Sequence, residues 1–352
     1  MNKHRFQSLT VCLDMYGCPN RCKHCWIGHS PNGNLTKEDL IDVAKLFRPY
    51  TDSLTVYDWY REPDYHDNYK ELWDLSHQLS DINQEHFELI SVYRIVRDKD
   101  YVKWLSSLGL KSAQLTLFGT EEKTDFYTGR KHAYRDILNA IEILLDHHIS
   151  PRIQVFVNKD NLDSLSQLEK VLNGLDLVKR CQAFKGEYAF FIHQGSCDGE
   201  NEKNYAIRIT PSDIKKIPQK FLSDAMRYQR KKSVEELFGK TEAALYNELK
   251  NDTSTCSFVS DNPVFYIDQN WNVYPNVASI EPIWKLGNLK KNGIEKVLEN
   301  YRESKSVAQN IRLNTPLSRI VQEEGNPMGE KLFEKEDYIE LISNRYCRKF
   351  LL

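Results

Sequence analysis

No apolar run in this sequence approaches the roughly 20 residues that a membrane-spanning helix needs, and its 352 residues hold only eight cysteines. Both shortages exclude something. Spanning helices are not expected, and cysteines this sparse cannot build a disulfide scaffold. Residues 1–14 include basic side chains but no apolar core of signal-peptide length, so the expected localisation is cytoplasmic. A surplus of charge is missing too: 48 Lys and Arg stand against 50 Asp and Glu, a formal net charge of −2. No global field therefore draws nucleic acid or an anionic membrane, and neither is expected as a partner. The basic run Arg227 to Lys232 is the local exception and reads as a solvated helix face. The sequence has no internal repeat of fixed length and no low-complexity tract.

What is there suits one large core, or a barrel-like domain with a smaller appendage, given 40% hydrophobic residues. Short β-rich segments at 9–14, 54–58, 88–93, 113–118, 152–158 and 188–193 alternate with helical patterns at 37–47, 68–79, 99–108, 134–147 and 161–172. That alternation predicts a parallel sheet wrapped by helices. Thr36 can cap the first helix, with Asp39 in its first turn and Leu40, Val43, Ala44 and Phe47 following at helical spacing. Six βα units are too few to close an eight-stranded barrel, so the expected fold is α/β, an open partial (β/α)6 barrel. After Gln194 the pattern becomes polar and then charged-helical. The expected division is a core over 1–194 and a smaller α+β extension over 195–352, with a hairpin at 264–274 and a helix at 294–301.

Three cysteines crowd one loop, Gly17-Cys18-Pro19-Asn20-Arg21-Cys22-Lys23-His24-Cys25, directly after the first predicted strand. Open α/β architectures put their chemistry at that end of the strands. Iron–sulfur clusters usually take four thiolates; three at these spacings can grip three corners of a cubane and leave one iron open. The competing reading is a zinc site with His24 or His29 as fourth ligand.

CxxxCxxC in this place resembles the radical SAM superfamily. The resemblance implies a 4Fe-4S cluster on Cys18, Cys22 and Cys25, whose open iron is chelated by S-adenosylmethionine. It also implies reductive cleavage to methionine and a 5′-deoxyadenosyl radical that abstracts hydrogen from substrate. His24 stands where that family usually places an aromatic residue near the adenine. Tyr60-Arg61-Glu62-Pro63 resembles the family's Gly-Gly-Glu-Pro, with Glu62 matched to the methionine amino group and both glycines replaced. Leu115-Thr116-Leu117-Phe118-Gly119 and Gly129-Arg130 resemble the stretches that handle ribose and carboxylate, so Thr116 and Arg130 are cofactor-binding candidates; Phe118 replaces the usual Asp.

From Cys256 onward the chain resembles the SPASM or twitch extensions of radical SAM maturases, which bind a second cluster. Cys256 and Cys347 fall at ligand positions, but the residue after Tyr274-Pro275 is Asn276, and Arg345 and Lys349 flank Cys347. The expectation is an extension that kept its fold without a complete auxiliary cluster. A redox-neutral outcome such as epimerisation or rearrangement follows, with Cys181 or Cys197 as candidate hydrogen donors. The expected substrate is a ribosomally made peptide or a small metabolite, and the expected reductant a flavodoxin or ferredoxin. The alternative is a non-catalytic zinc- or iron–sulfur-binding regulatory protein on the same scaffold.

Overall fold

Strands in the first half carry their apolar residues at every second position, and helices with apolar stripes follow to cover them. The computed structural model describes residues 5–15, 17–28, 35–57, 67–82, 90–277 and 280–351. In chain order, β1 (Phe6–Leu13) is followed by α1 (Lys37–Phe47), β2 (Thr51–Tyr57), α2 (Tyr69–Leu79), α3 (Val92–Arg97), α4 (Tyr101–Ser107), β3 (Ser112–Leu117), α5 (Glu121–Thr128), α6 (Ala133–Asp146), β4 (Ser150–Phe156), α7 (Leu165–Gly174), α8 (Leu177–Gln182) and β5 (Ala189–His193). Then come α9 (Gln219–Gln229), α10 (Val234–Phe238), β6 (Lys240–Thr241), α11 (Glu242–Leu249), β7 (Val264–Ile267), β8 (Asn272–Tyr274), β9 (Gly287–Asn288), α12 (Leu289–Asn292), α13 (Ile294–Arg302), α14 (Val307–Asn314), α15 (Leu317–Glu324), β10 (Leu332–Phe333) and α16 (Lys335–Arg348).

Among the described residues the strands of the partial barrel fall into two sheets, β2-β1-β7-β8-β9 and β3-β4-β5, with β1, β2 and β7 mutually parallel and β3 to β5 likewise. One core packs β3 to β5 beneath α4, α6, α7 and α9; the other packs β1, β2, β7 and β8 beneath α1 and α13. In β3, Ala113, Leu115 and Leu117 are fully buried against the helices, while Gln114 and Thr116 face the barrel interior. Each buried Leu contributes about 1.5–3 kcal/mol, and slipping the register by one residue would drive Gln114 and Thr116 into the helix layer. The apolar outer face thus fixes which polar residues line the interior.

Thr36 caps α1 as expected: its hydroxyl accepts from Asp39 N at 3.1 Å, and the Asp39 carboxylate accepts from Thr36 N at 2.8 Å. Two expectations need correction. The strand expected over 88–93 is replaced at its end by α3, which the Ser91 hydroxyl caps by accepting from Arg94 N at 3.2 Å; residues 88 and 89 lie outside the described residues. The helix expected from 161 begins at Leu165, because the Asn161 amide donates to the Phe118 and Phe156 carbonyls, both at 2.7 Å, and so belongs to the turn. The boundary expected after 194 does not interrupt the sheet, since β7 pairs with β1 with Phe265 opposite Val11.

Candidate active site

β1 delivers the chain to the mouth of the barrel, and the loop over 17–28 that follows is clamped from two sides. On one side Arg21 N donates to Thr128 O at 3.0 Å and Lys23 N to Tyr127 O at 2.8 Å, both at the end of α5. Gly129 closes that helix at φ 64°, and a Cβ there would lie 2.5 Å from the Arg21 carbonyl oxygen. On the other side Glu200 N donates to Cys25 O at 2.8 Å and the Asn204 amide to Lys23 O at 2.7 Å. Gly199, at φ 55°, leaves room for that approach: its Cβ would meet Gly28 N at 2.5 Å and Cys25 O at 2.6 Å. The loop that carries Cys18, Cys22 and Cys25 is therefore positioned mainly through its backbone, and all three residues are partly buried.

Among the described residues, Glu121, Asp125 and His132 form the one group of three or more His, Cys, Asp or Glu whose ligand atoms lie within 4.8 Å of one another. The three sulfurs of the loop are thus spread more widely than that. Thiolates on one tetrahedral zinc would stand about 3.8 Å apart.

His24 wedges between Phe118 and Phe156, with ring centroids 4.6 and 4.3 Å away, and its Nδ1 is sealed from solvent without a partner among the described residues. Burial, and secondly the neighbouring His193, push its pKa down to about 3, so the ring is neutral. A buried ring nitrogen with unused hydrogen-bonding capacity at the cavity wall fits a residue that faces a polar ligand. Phe118, the departure from the family's Asp, stacks on Tyr127 and Phe156 and backs this ring.

Thr116 donates its hydroxyl to Gln154 Oε1 at 2.8 Å, and Gln114 donates to the same oxygen at 2.7 Å. Gln154 also meets His193, and Arg152 meets Gln114, so β3, β4 and β5 are laced by one polar network on the inner face. Gln154 and His193 escape a search for known motifs. Their signal was polar residues at alternate positions of otherwise apolar strands. Burial, and then the Arg208 charge, hold His193 near 4.

Arg130 is no ordinary surface charge, its side chain being 14% exposed. Its Nε donates to Asn20 Oδ1 at 2.8 Å, and Nη1 pairs with Asp136, which Arg97 also grips at 3.0 Å. Arg130 and Thr116 line one cavity of about 210 Å³ with the three cysteines and His24. A larger cavity of about 590 Å³ adjoins it, sharing His24, Trp26, Gln114 and Thr116 and adding Arg152 and His193.

Other candidates stand elsewhere. Glu62 lies outside the described residues. Cys181 sits on α8, fully buried on the helix side of the sheet, and Cys197 packs with Leu245, Ile320 and Phe333 while accepting from Arg208 at 3.4 Å. Neither lines the two cavities, because each serves as a small apolar filler. Cys347 is fully buried on α16, and Cys256 is exposed. Tyr69 and Trp73, one helical turn apart on α2, pack against Trp104 in the outer layer.

An open parallel barrel with a three-thiol loop at the C-terminal end of its first strand has its thiols where open α/β folds carry their chemistry. Residues 13–170, a little under half of the chain, match the model of the radical SAM superfamily; this domain supports a radical SAM enzyme, a class that uses a 4Fe-4S cluster and S-adenosylmethionine. Among solved structures, native anSMEcpe with bound AdoMet is similar at 15% identity over 97% of this chain and 100% of that one, with a TM-score of 0.52. AnSMEcpe bound to AdoMet and the Cp18Cys peptide covers 98% and 100% at 15% identity and the same TM-score of 0.52. SuiB of Streptococcus suis bound to its precursor peptide SuiA covers 84% of this chain and 64% of its own at 13% identity, with a TM-score of 0.47. No curated protein matches the chain. No helix among the described residues is long and apolar enough to cross a membrane.

Proposed function

We propose that Cys18, Cys22 and Cys25 ligate the 4Fe-4S cluster and that His24, Thr116, Arg130 and, from the sequence, Glu62 orient S-adenosylmethionine beside it. The observation that carries this reading is the clamped loop: three thiols wall the same cavity as Thr116 and Arg130. When bound, the cluster supplies the electron that splits the sulfonium into methionine and a 5′-deoxyadenosyl radical. The chain's own part is orientation and shielding. Arg130, held through Nε by Asn20 and through Nη1 by Asp136, has its Nη2 donors left for a carboxylate at little further cost in entropy. His24, neutral and backed by Phe118 and Phe156, gives an apolar platform for a base and keeps water from the reacting end.

The larger cavity adjoins this site and is the place we assign to substrate, a peptide or a small metabolite. The peptide is supported by the fold likeness to anSMEcpe, which is bound to a peptide in one of its structures. Because Cys181 and Cys197 lie off the cavities, a redox-neutral rearrangement or elimination, which needs no thiol hydrogen donor, is favoured over epimerisation. A flavodoxin or ferredoxin in the cytoplasm is the proposed electron source.

Anaerobic reconstitution followed by S-adenosylmethionine and dithionite tests the proposal. Wild-type protein is expected to turn brown and release 5′-deoxyadenosine, and Cys22→Ala to release none. Stoichiometric zinc without cleavage would establish the binding-protein alternative instead.

A further inference from the structure

The SPASM resemblance implies a second cluster between the hairpin and the C-terminus, and the residues there do not fit one. Four thiolates are usual for such a group. Of the expected positions, Cys256 and Cys347 keep a thiol, whereas Asn276 offers an amide whose Oδ1 is buried without a partner among the described residues. Arg312 of α14 lies beside both thiols. Its carbonyl accepts from Cys256 N at 2.9 Å. Its guanidinium, with the residue 5% exposed, pairs with Glu340 at 2.6 Å, donates to Asn344 Oδ1 at 2.9 Å, and lies 4.9 Å from the Trp284 ring and 5.2 Å from Phe258. Trp284 Nε1 donates to that same Asn344 oxygen at 3.2 Å. The same cation acts on both thiols: burial raises each, and Arg312 partly offsets that for Cys256 and Cys347 alike.

A guanidinium paired with a carboxylate and lidded by two aromatic rings fills this part of the fold with a side-chain network, and two thiols with an amide at a third position fall short of the four thiolates a cluster takes. Its neighbours show what it does. Cys347, Trp284 and Ala308 belong to one buried cluster with Tyr266 and Tyr274 of the hairpin and Cys12 of β1. We infer that Arg312, with Glu340 and Asn344, replaces the second cluster as the pin that fastens the C-terminal helices to the hairpin and the barrel, and that the extension binds no iron.

The inference goes beyond the proposed function and fails separately from it. Iron is measured after anaerobic reconstitution in the wild type, in Cys256→Ala, in Cys256→Ala/Cys347→Ala and in Cys18→Ala/Cys22→Ala/Cys25→Ala. The single and double variants of the extension are expected to keep the wild-type iron content; a fall to about half, the share of a second cubane, overturns the inference. Iron in the triple variant speaks to the loop, where full retention would sink the proposed function. Cys256 is exposed, so its single variant reads out even if the double variant folds poorly. Arg312→Ala is expected to lower the melting temperature by several degrees with iron content unchanged, and Arg312→Lys, which keeps the charge but not the fork, to recover part of the loss. A melting temperature unmoved by Arg312→Ala overturns the pinning role.

Discussion

The two cysteine groups of this chain sit in opposite surroundings. Cys18, Cys22 and Cys25 ride a loop gripped by backbone hydrogen bonds from two sides, and all three line a cavity. Cys256 and Cys347 each lie beside Arg312, whose guanidinium is packed with Glu340, Asn344 and Trp284. What makes a thiol a ligand is the room and charge left beside it. A loop gripped through its backbone from two sides presents its thiols to a cavity, whereas a pair beside a buried, paired cation lines none of the cavities at the barrel mouth.

The contrast can be attacked first at the clamp. Gly129→Val puts a branched side chain at a left-handed φ and against the Arg21 carbonyl, with about 1–3 kcal/mol of strain from the backbone alone. Displacing the loop by about an ångström should cost roughly a hundredfold in 5′-deoxyadenosine release and let a chelator strip iron faster. Retained activity and iron would mean that the loop needs no clamp.

A smaller effect sharpens the cofactor half. Arg130→Lys keeps a charge near Asp136 but loses the fork and the bond to Asn20. The KM for S-adenosylmethionine should rise by about tenfold with the iron content unchanged. An unchanged KM would remove Arg130 from the cofactor site.

The smallest expected effect concerns pH. His24 and His193 are held down to about 3 and about 4 in the folded protein, against 6.5 for the free side chain. Between those values the unfolded chain binds more protons, so stability is full above about pH 6.5 and is lost as pH falls toward 4. His193→Gln should flatten that slope by up to about 1 kcal/mol per pH unit, read from urea midpoints across pH 4–7. An unaltered slope would place the acid sensitivity elsewhere.

Much of this was legible in the sequence, for reasons that are local. The Thr36 cap, the alternation in β3 and the cysteine spacing are each written within a dozen residues. Arg130 was legible as a cofactor candidate but its anchors were not, since Asn20 lies 110 residues away. Gln154 and His193 meet through strand register, and Gly199 reaches back to the cysteine loop from beyond β5. The expected strand over 88–93 failed because a serine cap at 91 outweighed the β-rich composition around it. Arg312 gave no signal at all; its meaning comes from Cys256 and Cys347, which only the fold brings to it.

The most direct test reads both cysteine groups in one molecule. Reconstituted protein is treated anaerobically with a maleimide, digested, and its cysteine peptides are weighed. Cys256 should be labelled while Cys18, Cys22 and Cys25 are protected until the cluster is removed. Labelling of the loop cysteines in the iron-loaded protein, with Cys256 protected, would contradict the account.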